Sequence, residues 1–358
     1  MPLMDFDACG QVLARYNYWQ NRIVFGLCAQ MDDAALHAKR GLFFGTIHAT
    51  LHHILYVDQR ILTLLAGGNP GAYDPAQLPA PDFATLHRLR EETDAAILKC
   101  TDPDSPKDWQ CKTFHQIEHD EIERNGIGRN KIARDIPLQV YFLHMFNHQT
   151  HHRSQVTSAL YHLGLDYGVT GMPFTPEMPQ PTFENRNNHM PLMDFNACGR
   201  ELARYNSWQN RVLFDLCDKI GDDARRADRG MFFGSIHATL NHILYIDQRI
   251  TTLLKGGNPG AFTPTIIIAD DFAELRKMRE EMDAFLETLT DHENTGWQEN
   301  IRTLADVTGK VRDVPLQVLY MQIFNHQTHH RSQITSELHK MGVDYGITDV
   351  PLTPGMPF

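Results

Sequence analysis

Apolar residues recur at helical spacing along four long segments of the first half of the chain, and the same pattern returns in the second half. Glycine, proline and clusters of polar residues separate these segments, as is typical of helix ends and loops. Between the third and the fourth segment lies an irregular polar stretch that also permits a short hairpin. Four helices without a strong strand pattern predict an all-α fold, an antiparallel four-helix bundle in each half. The predicted helices of the first half are Asp7–Met31, Leu42–Ala66, Asp82–Lys99 and Ile136–Leu163.

The second half of the chain repeats the first. The string MPLMDF opens the chain at Met1 and recurs at Met190. The string FNHQTHHRSQ occurs at Phe146–Gln155 and again, without a change, at Phe324–Gln333. Self-similarity of this kind indicates two structural units of one type.

A short polar segment, QPTFENRNNH, belongs to neither copy and has a proline near its start. This composition is typical of a linker. We therefore expect one domain at residues 1–178, a linker at residues 179–189 and a second domain at residues 190–358.

The bulk composition excludes several classes of function. With 358 residues, of which 42% are hydrophobic, the chain is long enough for two domains with a core each. A net charge of −11 and a pI near 6.0 argue against a nucleic-acid partner, which would favour a basic surface. No stretch approaches the roughly 20 apolar residues of a membrane span, and the N-terminus lacks the basic and apolar regions of a signal peptide. We therefore expect a cytoplasmic protein with no membrane partner.

The six cysteines form no CxxC pair. Cys28 and Cys217 lie at equivalent positions of the two copies, within predicted helices, and we expect them to be small buried thiols in a reducing compartment. The unusual feature of the composition is instead the number of histidines, which is 20.

The repeated string carries histidines at positions i and i+4, a spacing that places two imidazoles on the same face of a helix. On a helical wheel, His148 and His152 fall in or at the edge of the apolar stripe of the fourth helix. His326 and His330 do so in the second copy, whereas His151 and its equivalent are displaced and are interpreted as flanking residues. A buried imidazole needs partners for its nitrogens. The pair is therefore either part of a metal site or a pair of satisfied core residues.

Two imidazoles leave a transition-metal site incomplete, so a third ligand is needed. The second predicted helix offers His48, His52 and His53. Asn241 replaces His52 in the second copy, which excludes that position as a ligand common to both. His48 and His53 lie on opposite flanks of the apolar stripe, and periodicity alone does not choose between them.

Two further kinds of polar residue lie near these histidines. Asp58 and Asp247 fall within the apolar stripe of the second helix, where an unpaired carboxylate is costly. They are candidates for accepting an imidazole N–H or for acting as a general base, and a salt bridge to an arginine such as Arg153 or Arg331 is the alternative. Gln155 and Gln333, about one turn after the last histidine, are candidates for a hydrogen bond to a metal-bound water; ordinary helix polarity is the alternative.

The first copy also contains a literal HxxEH string at His115–His119. In inverted zinc peptidases such a string supplies two ligands and a general base. Here it has no apolar run around it, no second glutamate segment that we can identify and no counterpart in the second copy. We interpret it as a solvated helix or loop.

Taken together, the motifs resemble one known family. The pattern (S/T)-I-x-x-T-L-x-H in the second helix, H-x-x-x-H-R-x-Q in the fourth and the trailing DYG…P segment are similar to the DinB superfamily of damage-inducible, YfiT-like four-helix-bundle metalloenzymes. The resemblance spans nearly all of each copy. Ser154 and Ser332 stand where members usually have glycine, a departure that leaves the ligand positions intact. The metal ligands that the resemblance implies are His53, His148 and His152 in the first copy and His242, His326 and His330 in the second.

The resemblance also implies an assembly and a chemistry. Most members are single domains that often dimerise, so the duplicated chain resembles a covalent pseudo-dimer. Three imidazoles around zinc, nickel or iron leave an open coordination position, where the ion activates water or holds a thiol. We therefore expect two divalent metal sites and either thiol-dependent transfer, with a low-molecular-weight thiol such as mycothiol or bacillithiol, or hydrolysis of a small-molecule substrate. A non-catalytic metal-binding or stress-response bundle is the alternative.

Overall fold

Each copy of the repeat folds into a bundle of four long helices, so the predicted all-α fold is confirmed. In the first copy these helices are α1 (Phe6–Cys28), α3 (Ile47–Leu65), α4 (Phe83–Cys100) and α5 (Leu138–His162), with a short helix α2 (Asp33–His37) after α1. In the second copy they are α6 (Phe195–Ile220), α8 (Ile236–Leu254), α9 (Phe272–Leu289) and α10 (Leu316–Lys340), with a short helix α7 (Asp222–Arg226) after α6.

This computed structural model describes residues 6–72, 74, 80–101, 112–123, 126–176, 195–289, 301–305 and 311–354. The predicted linker at residues 179–189 lies outside the described residues. None of the described helices is both long enough and apolar enough to cross a membrane.

The packing order of the helices is the same in both bundles. Helix α5 packs against α1 and α3, and α4 packs against the same two helices, so that α4 and α5 occupy opposite corners of the first bundle. Helices α6, α8, α9 and α10 repeat this order in the second bundle. The faces of α3 and α5 that carry histidines therefore meet each other, as do those of α8 and α10.

Helix α3 begins later than the apolar pattern predicted. Its first residue is Ile47, after the N-cap Thr46, whose hydroxyl oxygen accepts a hydrogen bond from the Ala49 amide. The preceding residues form a tight turn in which Gly45 donates to the carbonyl of Leu42 over 2.8 Å. Gly45 has a φ of +82°, a backbone conformation that residues with a side chain rarely adopt. The predicted start at Leu42 was wrong, because the apolar residues of this turn match the spacing of the helix but do not belong to it.

A β-hairpin joins the third and the fourth long helix of each bundle, which confirms the possible hairpin. In the first copy it consists of β1 (Lys112–Glu123) and β2 (Gly126–Pro137), and in the second copy of β3 (Ile301–Ala305) and β4 (Val311–Pro315). Both pairs are antiparallel.

The hairpin contains the HxxEH string, so its interpretation as a solvated helix or loop was wrong. His115 and His119 lie within β1, in register with Arg134 and Asn130 of β2. Residues four apart on a strand are separated by roughly 13 Å, too far for both to bind one ion. The string therefore lacks the helical geometry on which its metal-binding role in peptidases depends.

Among the residues that the structure describes, the buried apolar side chains form three clusters, and one of them is shared by the two bundles. One cluster lies wholly within the first repeat and another wholly within the second. The shared cluster includes Phe142 and Phe146 of α5 together with Tyr320 and Phe324 of α10. Because this cluster crosses the repeat boundary, each bundle buries part of its apolar surface against the other.

Helices α5 and α10 contact each other through reciprocal polar pairs. The Thr150 hydroxyl donates to Asn325 Oδ1 over 2.9 Å, and the Thr328 hydroxyl donates to Asn147 Oδ1 over 2.8 Å. These residues occupy equivalent positions in the two copies, and such reciprocity defines an isologous, twofold interface. The tandem bundles therefore fit the predicted intramolecular pseudo-dimer.

The two serines that replace the usual glycines also lie in this interface. Ser154 donates a hydrogen bond to the carbonyl of His329, and Ser332 donates to the carbonyl of His151. A small residue lets the two helices approach closely, and its hydroxyl pairs with a carbonyl of the opposite repeat. His151 and His329 do flank the inward stripe, but both are buried at the contact between the repeats.

Two of the cysteines match the prediction of buried thiols. Cys28 and Cys217 are fully buried and free of disulfides. Burial raises the pKa of each thiol to about 12. Both are therefore protonated and unreactive near neutral pH.

Candidate metal centre

Three imidazoles of the first repeat converge between α3 and α5. His53 comes from α3, and His148 and His152 lie one turn apart on α5. Nε2 of His53 is 2.9 Å from Nε2 of His148. One ring nitrogen of each of the three histidines lies within 4.8 Å of the other two. The structure thus brings together the three residues that the resemblance implied, and we call this group site one.

The second repeat contains an equivalent group, which we call site two. His242 of α8 faces His326 and His330 of α10, and Nε2 of His242 is 3.1 Å from Nε2 of His326. The three ring nitrogens again lie within 4.8 Å of one another. The two triads therefore share one geometry.

The spacing and the chemistry of these nitrogens suit a single transition-metal ion. Two nitrogens bound to one ion at about 2.0–2.1 Å lie roughly 2.9–3.4 Å apart, depending on the coordination angle. The two Nε2 pairs, at 2.9 Å and 3.1 Å, fall in this range. Imidazole nitrogen is a suitable ligand atom for zinc, nickel and iron. Each triad therefore fits a divalent metal ion, without fixing which ion it is.

Two glutamines orient one histidine of each triad. Nδ1 of His152 is 3.0 Å from Oε1 of Gln155, and Nδ1 of His330 is 2.7 Å from Oε1 of Gln333. An amide oxygen only accepts, so the ring proton lies on Nδ1 and the lone pair of Nε2 stays available for a metal. The glutamines thus contact the histidines themselves, whereas the sequence suggested a contact to metal-bound water.

A backbone carbonyl orients a second histidine of site two in the same way. Nδ1 of His242 donates to the carbonyl oxygen of Pro264 over 2.8 Å. This hydrogen bond again leaves the lone pair of Nε2 available for a metal. Two of the three imidazoles of site two therefore have their tautomers fixed by protein groups.

Burial keeps the imidazoles of both triads neutral. It lowers the pKa of His152 and that of His242 to about 4. The remaining four have a pKa well below the usual 6.5, first because of burial and then because neighbouring imidazoles would repel an added charge. Neutral imidazole is the form that binds metals. These four are His53, His148, His326 and His330.

A phenylalanine covers one face of each triad. The ring of Phe44 stacks on that of His53 with a centroid distance of 3.9 Å and lies 5.3 Å from the ring of His152. Phe233 stacks on His242 at the same 3.9 Å. Both rings are carried by the glycine-flanked turn before the second long helix. The sequence reasoning missed these residues, although the strings GLFFG and GMFFG at equivalent positions would have been the signal.

Asp58 and Asp247 form the ion pairs that were considered as the alternative to a role at the site. Asp58 accepts a hydrogen bond from Arg90 of α4, and Asp247 accepts one from Arg279 of α9. All four side chains are almost completely buried. The partners named from the sequence were wrong, because Arg153 and Arg331 each donate to two asparagines of the first long helix of their repeat instead.

The structure also distinguishes His48 from His53, between which periodicity left the choice open. His48 stacks on His37 of α2 with a centroid distance of 4.5 Å. It does not belong to the group that converges on His148. His53 alone of the two therefore occupies the position of a third ligand.

The surroundings of the two triads differ at two neighbouring positions. His144 lies one turn before the histidine pair of α5, and its Nε2 is 3.9 Å from a carboxylate oxygen of Asp349 in the second repeat. The equivalent residues around site two are Gln322 and Gly171. The Gln322 amide oxygen accepts a hydrogen bond from the backbone of Met172 over 2.8 Å. Site one thus has an imidazole and a carboxylate beside it where site two has neutral groups.

Comparison with known proteins adds one match. A family model described as DinB family matches residues 5–187 and again residues 178–356. No curated protein and no solved structure matches the chain. Each of the two matched ranges contains one complete histidine triad.

Proposed function

The chain belongs to the DinB family over both of its repeats, and from this premise we propose that it is an enzyme with one divalent metal centre in each repeat. The observation that carries the proposal is the convergence of three imidazole nitrogens, twice in one chain. The proposed ligands are His53, His148 and His152 in site one and His242, His326 and His330 in site two.

We propose zinc, nickel or iron as the ion. Such an ion, held by three neutral imidazoles, would supply Lewis acidity to a water molecule or a thiol at its open coordination position. The residues of the chain prepare the centre: Gln155 and Gln333 keep Nε2 of a ligand unprotonated. Phe44 and Phe233 exclude water from one side of each triad.

Two reactions are compatible with this arrangement, namely transfer of a low-molecular-weight thiol to a small electrophilic substrate and hydrolysis of a small substrate. The family resemblance favours the thiol reaction, because relatives that use mycothiol or bacillithiol carry the same histidine pattern. Asp58 and Asp247 each have one carboxylate oxygen paired with a buried arginine, Arg90 and Arg279, and we propose that they stabilise the bundle rather than take part in the reaction.

An assay panel separates these reactions. The purified protein is incubated with an electrophilic chloroaromatic probe and each of glutathione, cysteine, mycothiol and bacillithiol, and separately with activated esters and amides. Each reaction is run with and without a chelator, and with the His152→Ala/His330→Ala variant. We expect turnover with one class of substrate only, lost both with chelator and in the variant.

The second candidate is a non-catalytic metal-binding bundle. It is favoured by the burial of the triads, since His148 and His152 are only 7% and 6% exposed. A protein that contains stoichiometric metal but shows no turnover in any arm of the panel would support this candidate and contradict the enzymatic proposal.

A further inference from the structure

We propose that each metal centre is completed by the opposite repeat, through a tyrosine that positions a ligand by way of a glutamine. Tyr345 of the second repeat acts on site one, and Tyr167 of the first repeat acts on site two. Both are positioning residues, which contact neither the metal nor the substrate. The inference rests on the proposed metal centres and adds residues that the histidine motifs do not include.

We call the chain of contacts from tyrosine to glutamine to histidine the relay. Its first step is the glutamine that contacts the proposed ligand. Gln155 is fully buried, and its Oε1 is 3.0 Å from Nδ1 of His152. A rotation of this amide by 180° would place its NH2 group against Nδ1. Nδ1 would then have to accept, and the ring proton would move to Nε2, where it blocks metal binding. The orientation of the amide therefore decides whether His152 is a ligand.

The second step is what fixes that orientation. The NH2 group of Gln155 has two hydrogens to donate. One is directed to Nε2 of His151 over 3.3 Å, and the hydroxyl of Tyr345, whose ring lies against His151, is placed to accept the other. Tyr345 is 8% exposed and its ring lies 6.3 Å from that of His151. With hydrogen-bond acceptors around its NH2 group, the Gln155 amide keeps its oxygen directed at Nδ1 of His152.

The same relay exists at site two, in the opposite direction. Oε1 of Gln333 is 2.7 Å from Nδ1 of His330, and its NH2 group lies 3.4 Å from Nε2 of His329. Tyr167 and Gln333 line the same small cavity, where the Tyr167 hydroxyl is placed to accept from this amide. Because the contacts are reciprocal, the twofold arrangement of the repeats generates both.

A local turn holds each tyrosine in place, which gives the DYG segment a structural role. In Asp166–Gly168 the carboxylate of the aspartate accepts from the glycine amide over 2.8 Å, and in Asp344–Gly346 the same bond measures 2.9 Å. Both glycines have a φ near +70°, which disfavours any side chain there. The turn thus directs the tyrosine between them towards the neighbouring bundle.

The experiment uses two single-site forms of the full chain, His330→Ala with site one intact and His152→Ala with site two intact. Cobalt(II) is the probe: its dissociation constant is measured by competition with a chelator, and its visible absorption reports the ligand geometry. Tyr345→Phe should weaken binding about tenfold in the site-one form, the lower end of the range for groups that orient a ligand. It should leave the site-two form unchanged.

Tyr167→Phe provides the matched control and an independent test. It should weaken cobalt binding about tenfold in the site-two form and leave the site-one form unchanged. If the tyrosine had a merely structural role, its replacement would weaken cobalt binding in both forms alike, or only at the site of its own repeat. Equal effects in both forms, or no effect in either, would overturn the proposal.

A glutamate at position 155 tests the mechanism of the relay. A carboxylate has no NH2 end, so either of its oxygens can accept from His152 and its orientation no longer matters. In the site-one form that also carries Gln155→Glu, Tyr345→Phe should therefore cause no further loss of affinity. A full additional loss would show that Tyr345 acts by another route.

The outcomes separate this inference from the proposed function. If neither single-site form bound cobalt, the proposed metal centres themselves would be wrong. If both bound it and the tyrosine variants behaved like their parents, the metal centres would stand and the relay would be rejected. Far-UV circular dichroism of each variant establishes that it is folded.

Discussion

At the scale of single residues, half of each site follows from local geometry and the rest does not. His148 and His152 are predictable because a spacing of four residues on a helix fixes a shared face whatever surrounds it. His53 required knowing which flank of α3 meets α5, which is a property of helix packing. Gln155 contacts His152 within one turn of α5, but the sequence did not tell this contact from one to a metal-bound water. The contact of Phe44 with His152 was beyond reach, because it depends on how the turn before α3 packs against α5.

The pH dependence of folding is the first prediction at this scale. Burial lowers the pKa of His152 and that of His242 from 6.5 to about 4 in the folded protein. Between these values the unfolded state binds more protons, so the free energy of unfolding must fall as the pH is lowered from 6.5 to 4. At 1.36 kcal/mol per pKa unit, each imidazole accounts for on the order of 3 kcal/mol.

Urea unfolding of the metal-free protein, followed by circular dichroism at a series of pH values, measures this effect. The His152→Asn/His242→Asn variant is the control and should show a flatter dependence over the same interval. A wild-type stability that is constant from pH 7 to pH 5 would contradict the prediction.

At the scale of elements, the long helices were predictable and the segments between them were not. Apolar periodicity located α1, α3, α4 and α5 because their buried faces are continuous. It failed at the turn before α3, where apolar residues contact the neighbouring bundle and the triad rather than a helix stripe. It also left the hairpin only as an alternative, because β1 is rich in polar residues.

The buried ion pairs between helices give the second prediction. Arg90 of α4 contacts both Asp58 of α3 and Asp94 of its own helix. Replacing it by alanine leaves two buried carboxylates without their counter-charge. We expect Arg90→Ala to lower the free energy of unfolding by about 3–5 kcal/mol.

Arg88 supplies the matched control on the same helix. It pairs with Glu92 over 2.7 Å, but both side chains are more than half exposed. Arg88→Ala should therefore change the free energy of unfolding by about 0–1 kcal/mol. Urea titrations of the two variants give both values, and equal losses would show that burial does not determine the contribution of these pairs.

At the scale of the whole molecule, the duplication was evident in the sequence but the interface was not. Two copies of one string predict two similar domains. The repeated strings do not reveal that α5 packs against α3 with one face and against α10 with another, because buried residues lie on both faces. The serines at positions 154 and 332 show this most clearly: a small departure from the family pattern turned out to be a contact between the repeats.

Cleavage between the repeats is the third prediction. We propose domains at residues 1–178 and 190–358, with residues 179–189 as a linker. A specific protease site placed in this linker should be cut without separating the fragments, because they share one apolar cluster and reciprocal hydrogen bonds. Size-exclusion chromatography of the cut protein should show a single peak at the position of the uncut chain. Two peaks of half the mass would contradict an interface of this strength.

The metal content of the natively purified protein tests the central claim most directly. Elemental analysis is made on the wild type, on His152→Ala, on His330→Ala and on the double variant, all purified without added chelator. Two triads predict two divalent ions per chain in the wild type, one in each single variant and none in the double variant. Stoichiometric metal in the double variant, or none in the wild type, would contradict the assignment of these histidines as ligands.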